Sequence, residues 1–126
     1  MSKNKLIYGI HPMICYVNFA VLFKSPCIII GSESLLAGGK MKEAGIEHWI
    51  SPNTGATNET GFTALPSGNR IDNGTFEKLR EYGYWWSATE YSSSGAYGRQ
   101  TNYATGLIQR GYSLKNNGFS VRCMKD

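Results

Sequence analysis

Two adjacent tryptophans, in the aromatic segment YWWSATEY at residues 84–91, constrain the fold of this chain more than any other feature. Trp85 and Trp86 are two of only three tryptophans in the sequence. A large aromatic ring can serve packing or ligand stacking, because it has a broad apolar face and a polar edge. The pair therefore predicts that one ring is nearly buried in a core, while the other lies near a surface.

The length and composition indicate one small globular domain that is rich in turns. A chain of 126 residues has room for a single domain with a modest core. Hydrophobic residues make up 41% of it, which suits a soluble globular protein. Fifteen glycines, with many Asn, Ser and Thr, favour turns and irregular backbone over long helices.

Two segments have helical character, and glycine limits both of them. A helix that begins at Ser34 is interrupted by Gly38 and Gly39. Residues 75–82 predict one or two helical turns, which Gly83 ends. Thr75 is the expected cap of that helix. Its apolar side carries Phe76, Leu79 and Tyr82, and its exposed side carries Glu77 and Glu81.

The second half of the chain predicts a closing antiparallel sheet. Turn-forming residues separate its short strands, and the pair Asn117-Gly118 is a strong hairpin signal. With the long polar loops before them, these elements indicate an α+β fold with short helices, long loops and a carboxy-terminal antiparallel sheet. The predicted strands are residues 84–89, 96–103, 106–112 and 118–124.

The amino-terminal third is apolar and allows two interpretations. Lys24 is the only formally charged residue between residues 6 and 32, and residues 14–23 form a strongly apolar run. This run is either the first of two buried strands, followed by residues 27–30 after a turn, or the apolar region of a signal-like segment. It is too short to span a membrane as a helix, because Lys24 ends it.

The net charge of +4 is distributed unevenly, since no acidic residue occurs from residue 91 to residue 125. A basic face of this kind can bind nucleic acid or anionic glycans. The basic residues are well spaced and belong to no known nucleic-acid motif. Scattered solvated charges are therefore the favoured interpretation, and we expect no nucleic-acid partner. The residues are Arg99, Arg110, Lys115, Arg122 and Lys125.

The cysteines and histidines indicate no structural metal site. Cys15, Cys27 and Cys123 allow at most one disulfide and leave one thiol over. They form no CxxC motif, and His11 and His48 lie far apart in the sequence. We therefore expect no structural zinc, while the disulfide state stays open.

Six short phrases occur in order along the chain: AGGKMK at 37–42, HW at 48–49, SPNTGATNETGF at 51–62, ALPxGxR at 64–70, GYWWSATE at 83–90 and GFSVRC at 118–123. In this order they resemble the Fibrobacter succinogenes major paralogous domain. Any one phrase is weak alone, but together they make the match specific, and they extend from about residue 36 to the carboxy terminus.

The resemblance implies an α+β fold related to the C-type lectin-like and formylglycine-generating (sulfatase-modifying) folds. It divides the chain into an atypical apolar segment, residues 1–35, and a domain of the family type, residues 36–126. The family's opening phrase survives only as GIHP at 9–12, without the charged, Trp-containing helix that follows it in the family. A frameshift is one hypothesis for this segment, and a reading frame of the coding DNA that restores such a helix would support it.

The resemblance raises one enzymatic alternative. The related formylglycine-generating enzymes use a pair of cysteines near the end of the fold, whereas this chain has only Cys123 there. A lone strand cysteine is more often a small buried residue or a disulfide partner than a nucleophile. No catalytic triad, phosphate-binding glycine loop or HExxH motif is present. We therefore expect no catalysis, and a degenerate sulfatase-modifying-like enzyme using Cys123 is the alternative.

Calcium is the cofactor that the resemblance leaves open, because C-type lectin-like domains can hold the ion in long loops. The ion needs about six to eight oxygen ligands. Asn58, Glu59 and Asp72 are weak candidates for supplying them. Such residues in glycine-rich loops more often bond to nearby backbone groups, so no metal site is favoured.

Tyrosine is concentrated in one part of the chain and suggests a ligand-binding surface. Six of the eight tyrosines lie between residues 82 and 112, among Ser, Asn, Gly and Arg. Recognition surfaces have this composition, since Tyr offers rigid contact area and the smaller residues offer hydrogen bonds. The alternative is half-buried packing of each tyrosine on a strand. The expected ligand-binding residues are Tyr91, Tyr97, Arg99, Asn102, Tyr103, Arg110 and Tyr112.

The tryptophans and the residues around them are expected to form the structural core. Arg70 and Glu90 are predicted to form an internal polar pair, and Arg122 to support loop carbonyls. The predicted core residues are Trp49, Phe62, Trp85, Trp86, Phe119 and Arg122.

These interpretations converge on a non-catalytic extracellular or cell-surface binding module. Carbohydrate is the first expected ligand and protein the second. Neither a membrane span nor nucleic acid is expected.

Overall fold

The computed structural model describes residues 35–122, and these form one short helix and two antiparallel sheets. The architecture is mostly sheet with irregular connections, which is α+β in the broad sense predicted. The elements in chain order are α1 (Ala37–Met41), β1 (Asn69–Arg70), β2 (Phe76–Glu77), β3 (Tyr82–Glu90), β4 (Gly95–Asn102) and β5 (Gln109–Leu114).

A three-stranded antiparallel sheet, in the order β3-β4-β5, carries the carboxy-terminal half. In its register Trp86 lies opposite Gly98, and Gly98 lies opposite Gly111. The pairing of β3 with β4 is irregular between Trp86 and Glu90, where the register shifts. Because side chains alternate along a strand, this register decides which of them share a face.

The strands predicted at residues 84–89, 96–103 and 106–112 are confirmed as β3, β4 and β5, with their ends displaced by one to three residues. Strand interiors are recognisable from aromatic and β-branched residues between turn signals. Their ends depend on hydrogen bonds to the neighbouring strand, which a local pattern does not contain.

The strand predicted at residues 118–124 is wrong over the part that the structure describes. Two single bridges replace it, one between Gly118 and Arg70 and one between Ser120 and Trp85. Backbone bonds join Ser120 to both neighbours of Trp85 in β3. The segment therefore adds a single bridge to β3 in place of a strand.

The helix α1 contains Gly38 and Gly39, so the prediction that these glycines interrupt a helix is wrong. Both positions exclude a side chain. A Cβ atom on Gly38 would lie 2.0 Å from the carbonyl oxygen of Leu107, and one on Gly39 would lie 2.2 Å from that of Gly55. Close tertiary approach therefore outweighs the low helix propensity of glycine.

The helix predicted at residues 75–82 is also wrong, because the start of this segment is extended. β1 and β2 form a short hairpin in which Arg70 pairs with Phe76. The turn between them contains Asn73-Gly74, and the Oδ1 of Asn73 accepts a hydrogen bond from the Thr75 N–H at 2.8 Å. Thr75 therefore belongs to a turn and caps no helix.

The apolar residues of this segment show why no helix forms. Phe76 and Leu79 are 78% and 70% exposed. A short amphipathic helix is stable only when its apolar side is buried against a core, and no core receives this one. Glu77 lies on β2, and Glu81 forms an ion pair with Lys78 in the turn before β3.

Both adjacent tryptophans are buried, each only 4% exposed. The prediction of one nearly buried ring is confirmed, whereas the expectation that the other ring lies near a surface is wrong. Trp85 and Trp86 point to opposite faces of the sheet, and a different phenylalanine covers each. Phe62 meets Trp85 edge-on with ring centroids 5.7 Å apart, and Phe119 stacks on Trp86 at 4.3 Å. The sheet is thus packed on both sides at this point.

The other predicted core residues divide by depth. Trp49 and Phe62 are buried, Phe119 is half-buried and Arg122 is exposed. Arg122 is therefore not a core residue. Its guanidinium lies over the Phe62 ring, 5.2 Å from the centroid, where the charge can remain hydrated while its stem covers apolar surface.

The predicted pair of Arg70 and Glu90 does not form. Glu90 forms its ion pair with Lys115 instead. The same ammonium group donates to the carbonyl of Ser93 at 2.9 Å. Lys115 therefore fastens the end of β5 to the loop that joins β3 and β4.

Lys42 follows α1 and is fully buried. Its Nζ donates hydrogen bonds of 2.9 Å to the carbonyl oxygens of Thr54, Asn102 and Thr105. The side chain thereby joins the end of the helix to a long loop and to the end of β4. The sequence does not reveal this role, because lysine is rarely buried in folded proteins.

Several predictions fall on residues outside 35–122. They concern the two interpretations of residues 14–30, the frameshift hypothesis and the state of Cys15, Cys27 and Cys123. The division of the chain at residue 35 also stays a prediction. Within residues 35–122, no helix is long and apolar enough to cross a membrane.

Candidate functional site

One face of the three-stranded sheet carries four of the expected ligand-binding residues. Tyr97 pairs with Tyr112 and Arg99 pairs with Arg110, so the four side chains lie on one face. Trp85 lies opposite Arg99 in β3 and points the same way, but it is buried. The open part of this face is therefore formed by β4 and β5.

Tyr91 joins these residues from the turn that follows β3. Its ring stacks on Tyr112 with centroids 4.0 Å apart and planes 11° from parallel, and it meets Tyr97 edge-on at 5.4 Å. Tyr91 is 49% exposed and Tyr112 is 63% exposed. The rings orient one another while much of their surface stays in contact with water, which makes them a preorganised contact surface.

The two arginines add positive charge to the same face. The Arg110 guanidinium lies 3.5 Å from the centroid of the Tyr97 ring, which is a close cation–π contact. Burial, and secondarily the charge of Arg110, lowers the pKa of Arg99 below its usual value. The two guanidinium groups therefore concentrate charge beside the tyrosine rings.

Two of the seven expected ligand-binding residues lie elsewhere. Asn102 points to the opposite face by strand alternation, and its Oδ1 accepts a hydrogen bond from the Ala104 N–H at 2.9 Å. The carbonyl of Tyr103 accepts a hydrogen bond from the Thr54 N–H at 2.8 Å. Both residues therefore organise the turn after β4. The other five form what we call the tyrosine–arginine surface: Tyr91, Tyr97, Arg99, Arg110 and Tyr112.

The weak calcium candidates differ in the contacts that they make. Asn58 bonds to Thr63 through both ends of its amide, at 2.9 and 2.8 Å, which matches the local alternative. Glu59 forms an ion pair with Lys40 at 3.2 Å instead of a bond to a nearby backbone group. Asp72 is exposed in the turn of the β1–β2 hairpin, and calcium dependence stays a prediction.

In the part of the chain that the structure describes, one group of three side chains could hold a cation: Glu43, Glu47 and His48, with ligand atoms within 4.8 Å of one another. The Nδ1 of His48 and a carboxylate oxygen of Glu43 are 2.9 Å apart, so these two already satisfy each other. Glu47 and His48 are exposed. The sequence signal for this group is the closeness of the three residues along the chain. A search for cysteines and paired histidines does not find it, because two of the three ligands are carboxylates.

Comparisons with curated proteins and with solved structures found no match. The Fibrobacter succinogenes major domain matches residues 15–125, which is most of the chain and begins inside the apolar amino-terminal segment. The match includes the aromatic strand β3, the glycines of α1 and the strands of the tyrosine–arginine surface. The chain therefore belongs to the Fibrobacter succinogenes major domain family.

Proposed function

We propose that this protein is a non-catalytic ligand-binding module, with carbohydrate as the first candidate ligand and protein as the second. The observation that carries the proposal is the tyrosine–arginine surface, where stacked tyrosines and two arginines share one open face of the sheet. An extracellular or cell-surface location belongs to the same proposal.

The tyrosine rings support contact with a sugar. Tyr112 is 63% exposed and rests on Tyr91, so its ring is held in place before a ligand arrives. An aromatic face can stack on the apolar face of a pyranose ring, while the phenol hydroxyl remains available for hydrogen bonds. A surface that is already ordered loses little conformational entropy on binding.

The arginines favour a ligand that carries negative charge. Arg99 and Arg110 lie opposite each other on neighbouring strands, and like charges in this position repel. A carboxylate or sulfate group bound beside both would relieve the repulsion and can accept paired hydrogen bonds from a guanidinium. The first candidate ligand is therefore an acidic glycan.

A protein ligand is the second candidate because Tyr and Arg are also enriched where binding energy is concentrated in protein interfaces. The two candidates differ in what they require. A glycan must bind in the absence of any polypeptide, whereas a protein ligand must bind after its glycans have been removed.

We also propose the finer fold assignment, to the C-type lectin-like and formylglycine-generating group. One short helix, long loops and an antiparallel sheet near the carboxy terminus support it. An experimental structure that fails to superpose on these folds would contradict the assignment.

The enzymatic alternative rests on Cys123, which lies outside the described residues. Alkylation of the thiols distinguishes the two functions. A degenerate sulfatase-modifying-like enzyme should lose activity on alkylation, whereas a binding module should keep its ligand.

A glycan array that includes acidic and neutral glycans, read with and without EDTA, tests the proposed function. We expect acidic glycans to bind, and Arg110→Ala and Tyr112→Ala to weaken that binding at least about tenfold, or about 1.4 kcal/mol. Binding that EDTA leaves unchanged would remove calcium from the proposal.

Two control variants match these changes away from the surface. Phe76→Ala removes an exposed aromatic ring from β2, and Lys78→Ala removes an exposed positive charge next to it. Neither should alter glycan binding. If no glycan on the array binds, the carbohydrate proposal is wrong. It is also wrong if the two surface variants and the two control variants bind glycans with equal affinity.

A further inference from the structure

The face of the sheet opposite the tyrosine–arginine surface contains a small cavity. Gly98 and Gly111 pair in the register of β4 and β5, so two adjacent positions of this face lack side chains. The cavity over them has a volume of about 210 Å³. Its lining includes Tyr84, Gln100, Ser113, Phe119 and Asn69 beside these glycines.

Only one of the two glycines is covered. A Cβ atom on Gly98 would lie 3.4 Å from the Phe119 ring and 2.8 Å from the carbonyl oxygen of Trp85, so that position is filled by its neighbours. A Cβ atom on Gly111 would meet nothing within 4 Å. The open part of the cavity is therefore a notch above Gly111, bounded on one side by Phe119.

Two neutral side chains of the lining, those of Gln100 and Ser113, have hydrogen-bonding capacity left. The Nε2 of Gln100 donates to the Oε1 of Gln109 at 2.9 Å, which leaves the Gln100 oxygen as an acceptor. The Oγ of Ser113 accepts from Asn117 at 2.7 Å and keeps its own proton to donate.

The lining of the cavity is neutral apart from Arg99. Strand alternation assigns the side chains of Arg99 and Tyr112, which both border the cavity, to the opposite face of the sheet. The apolar part of the lining comes from Tyr84 and Phe119, which stack with ring centroids 5.0 Å apart. A neutral ligand with hydroxyl groups on a compact, partly apolar ring fits this combination.

We propose that the notch above Gly111 binds one neutral sugar unit. Its volume of about 210 Å³ lies below the usual range of pockets for larger ligands, which suits a single ring rather than a longer glycan. The C–H groups of the ring contact Phe119, and its hydroxyls bond to Gln100 and Ser113. This site goes beyond the tyrosine–arginine surface, lies on the other face of the sheet and stands whether or not that surface binds an acidic glycan.

Titration of the ¹⁵N-labelled protein with neutral methyl glycosides tests the site. The probes are the methyl glycosides of glucose, galactose, mannose, xylose and N-acetylglucosamine at millimolar concentration. We expect at least one of them to cause saturable shifts at the amides of Gly98, Gln100 and Gly111. If none of the five causes saturable shifts there, the proposal is wrong and the notch holds only water.

Gly111→Val provides the decisive variant. Its side chain fills the notch, a β-branched residue suits a strand, and Gly111 is not among the glycines with positive φ. We expect an unchanged unfolding midpoint and at least a tenfold loss of affinity for the glycoside. Ser113→Ala should also weaken binding, because it removes the hydroxyl donor. Wild-type affinity in folded Gly111→Val would overturn the proposal.

Arg110→Ala separates this site from the tyrosine–arginine surface. Its guanidinium lies on the other face, so glycoside binding should be unchanged while acidic-glycan binding weakens at least about tenfold. Loss of both in a variant with an unchanged unfolding midpoint would show one shared site and contradict the proposal. Retention of glycoside binding by a protein that binds no acidic glycan would support the notch and defeat only the surface.

Discussion

The ammonium group of Lys42 lies 5.3 Å from the centroid of the Trp49 ring, and both side chains are fully buried. The ring offers a cation–π contact to the same Nζ that donates to three carbonyl oxygens. Trp49 is itself held by a hydrogen bond of 2.9 Å from its Nε1 to the carbonyl of Ala64. The two residues form a polar centre that ties α1 and the long loops to β4.

Lys42→Met tests how much this centre stabilises the fold. The variant keeps an unbranched side chain of nearly the same length, one heavy atom shorter, but removes the donors of three hydrogen bonds. We expect the free energy of unfolding to fall by about 3 kcal/mol, because partly buried carbonyl groups are left without a donor. Denaturant titration measures this change.

Lys40→Met is the matched control for that variant. Lys40 is more exposed and pairs with Glu59 at 3.2 Å. An exposed ion pair stabilises a protein by at most about 1 kcal/mol, so the control should change the free energy of unfolding only slightly. Equal losses in the two variants would contradict a structural role for the buried lysine.

The stability of the protein should also depend on the titration of Lys42. Burial lowers the pKa of this lysine from 10.5 to about 8. The folded protein therefore releases the proton at lower pH than the unfolded chain, which binds more protons between these two values. The free energy of unfolding should rise between pH 8 and pH 10.5, by up to about 3 kcal/mol relative to Lys42→Met.

The comparison with Lys42→Met is needed because tyrosines titrate in the same range. Their contributions cancel in the difference between the two proteins. A difference that stays constant from pH 7 to pH 11 would show that the three carbonyl groups keep the buried lysine charged, and the predicted rise would then be wrong.

Gly38→Ala should prevent the close approach of α1 to the segment before β5. The added Cβ would lie 2.0 Å from the Leu107 carbonyl oxygen, which is backbone and cannot rotate away. We expect a loss of at least about 3 kcal/mol in the free energy of unfolding, the upper part of the range for overpacking.

Gly111→Ala is the control for this substitution, since its Cβ would meet nothing within 4 Å. Both changes reduce the entropy of the unfolded chain by the same amount, so Gly111→Ala should be neutral or stabilising by up to about 1 kcal/mol. Thermal unfolding of both variants measures the contrast. A neutral Gly38→Ala would mean that the helix does not pack against Leu107 as described.

The two-sided packing of β3 predicts which aromatic residues are coupled. Trp86 stacks on Phe119 at 4.3 Å, whereas Phe62 contacts Trp85 on the opposite face. A double-mutant cycle with Trp86→Leu and Phe119→Leu should give a coupling energy of about 0.5–1.5 kcal/mol. The cycle of Trp86→Leu with Phe62→Leu should give less than about 0.5 kcal/mol. Equal coupling in both cycles would contradict this arrangement.

Local sequence patterns located the sheet well but misplaced the helices. The interiors of β3 and β4 could be predicted because aromatic residues alternate between clear turn signals. The pattern of Phe76, Leu79 and Tyr82 satisfies helical spacing equally well. The helix prediction was wrong because Asn73-Gly74 closes a hairpin and because no core faces these side chains. A local pattern does not show whether a core faces a segment.

The candidate site was likewise predicted only in part from the sequence. Composition was sufficient to select a region rich in Tyr and Arg, and five of the seven expected residues do meet on one surface. Asn102 and Tyr103 could not be separated from them, because their role depends on hydrogen bonds to Lys42 and Thr54, far earlier in the chain. The notch above Gly111 was missed since a glycine pair across two strands has no signature within either strand.

Residues along the chain were enough to establish the family, an antiparallel sheet near the carboxy terminus and an aromatic core around Trp85 and Trp86. Those properties follow from local composition, turn chemistry and the order of short phrases. The register of β3, β4 and β5 came only from the folded structure, and with it the faces on which Arg110 and Gly111 lie. Register depends on pairings between distant segments, and a shift of one residue would move every side chain of a strand to the other face.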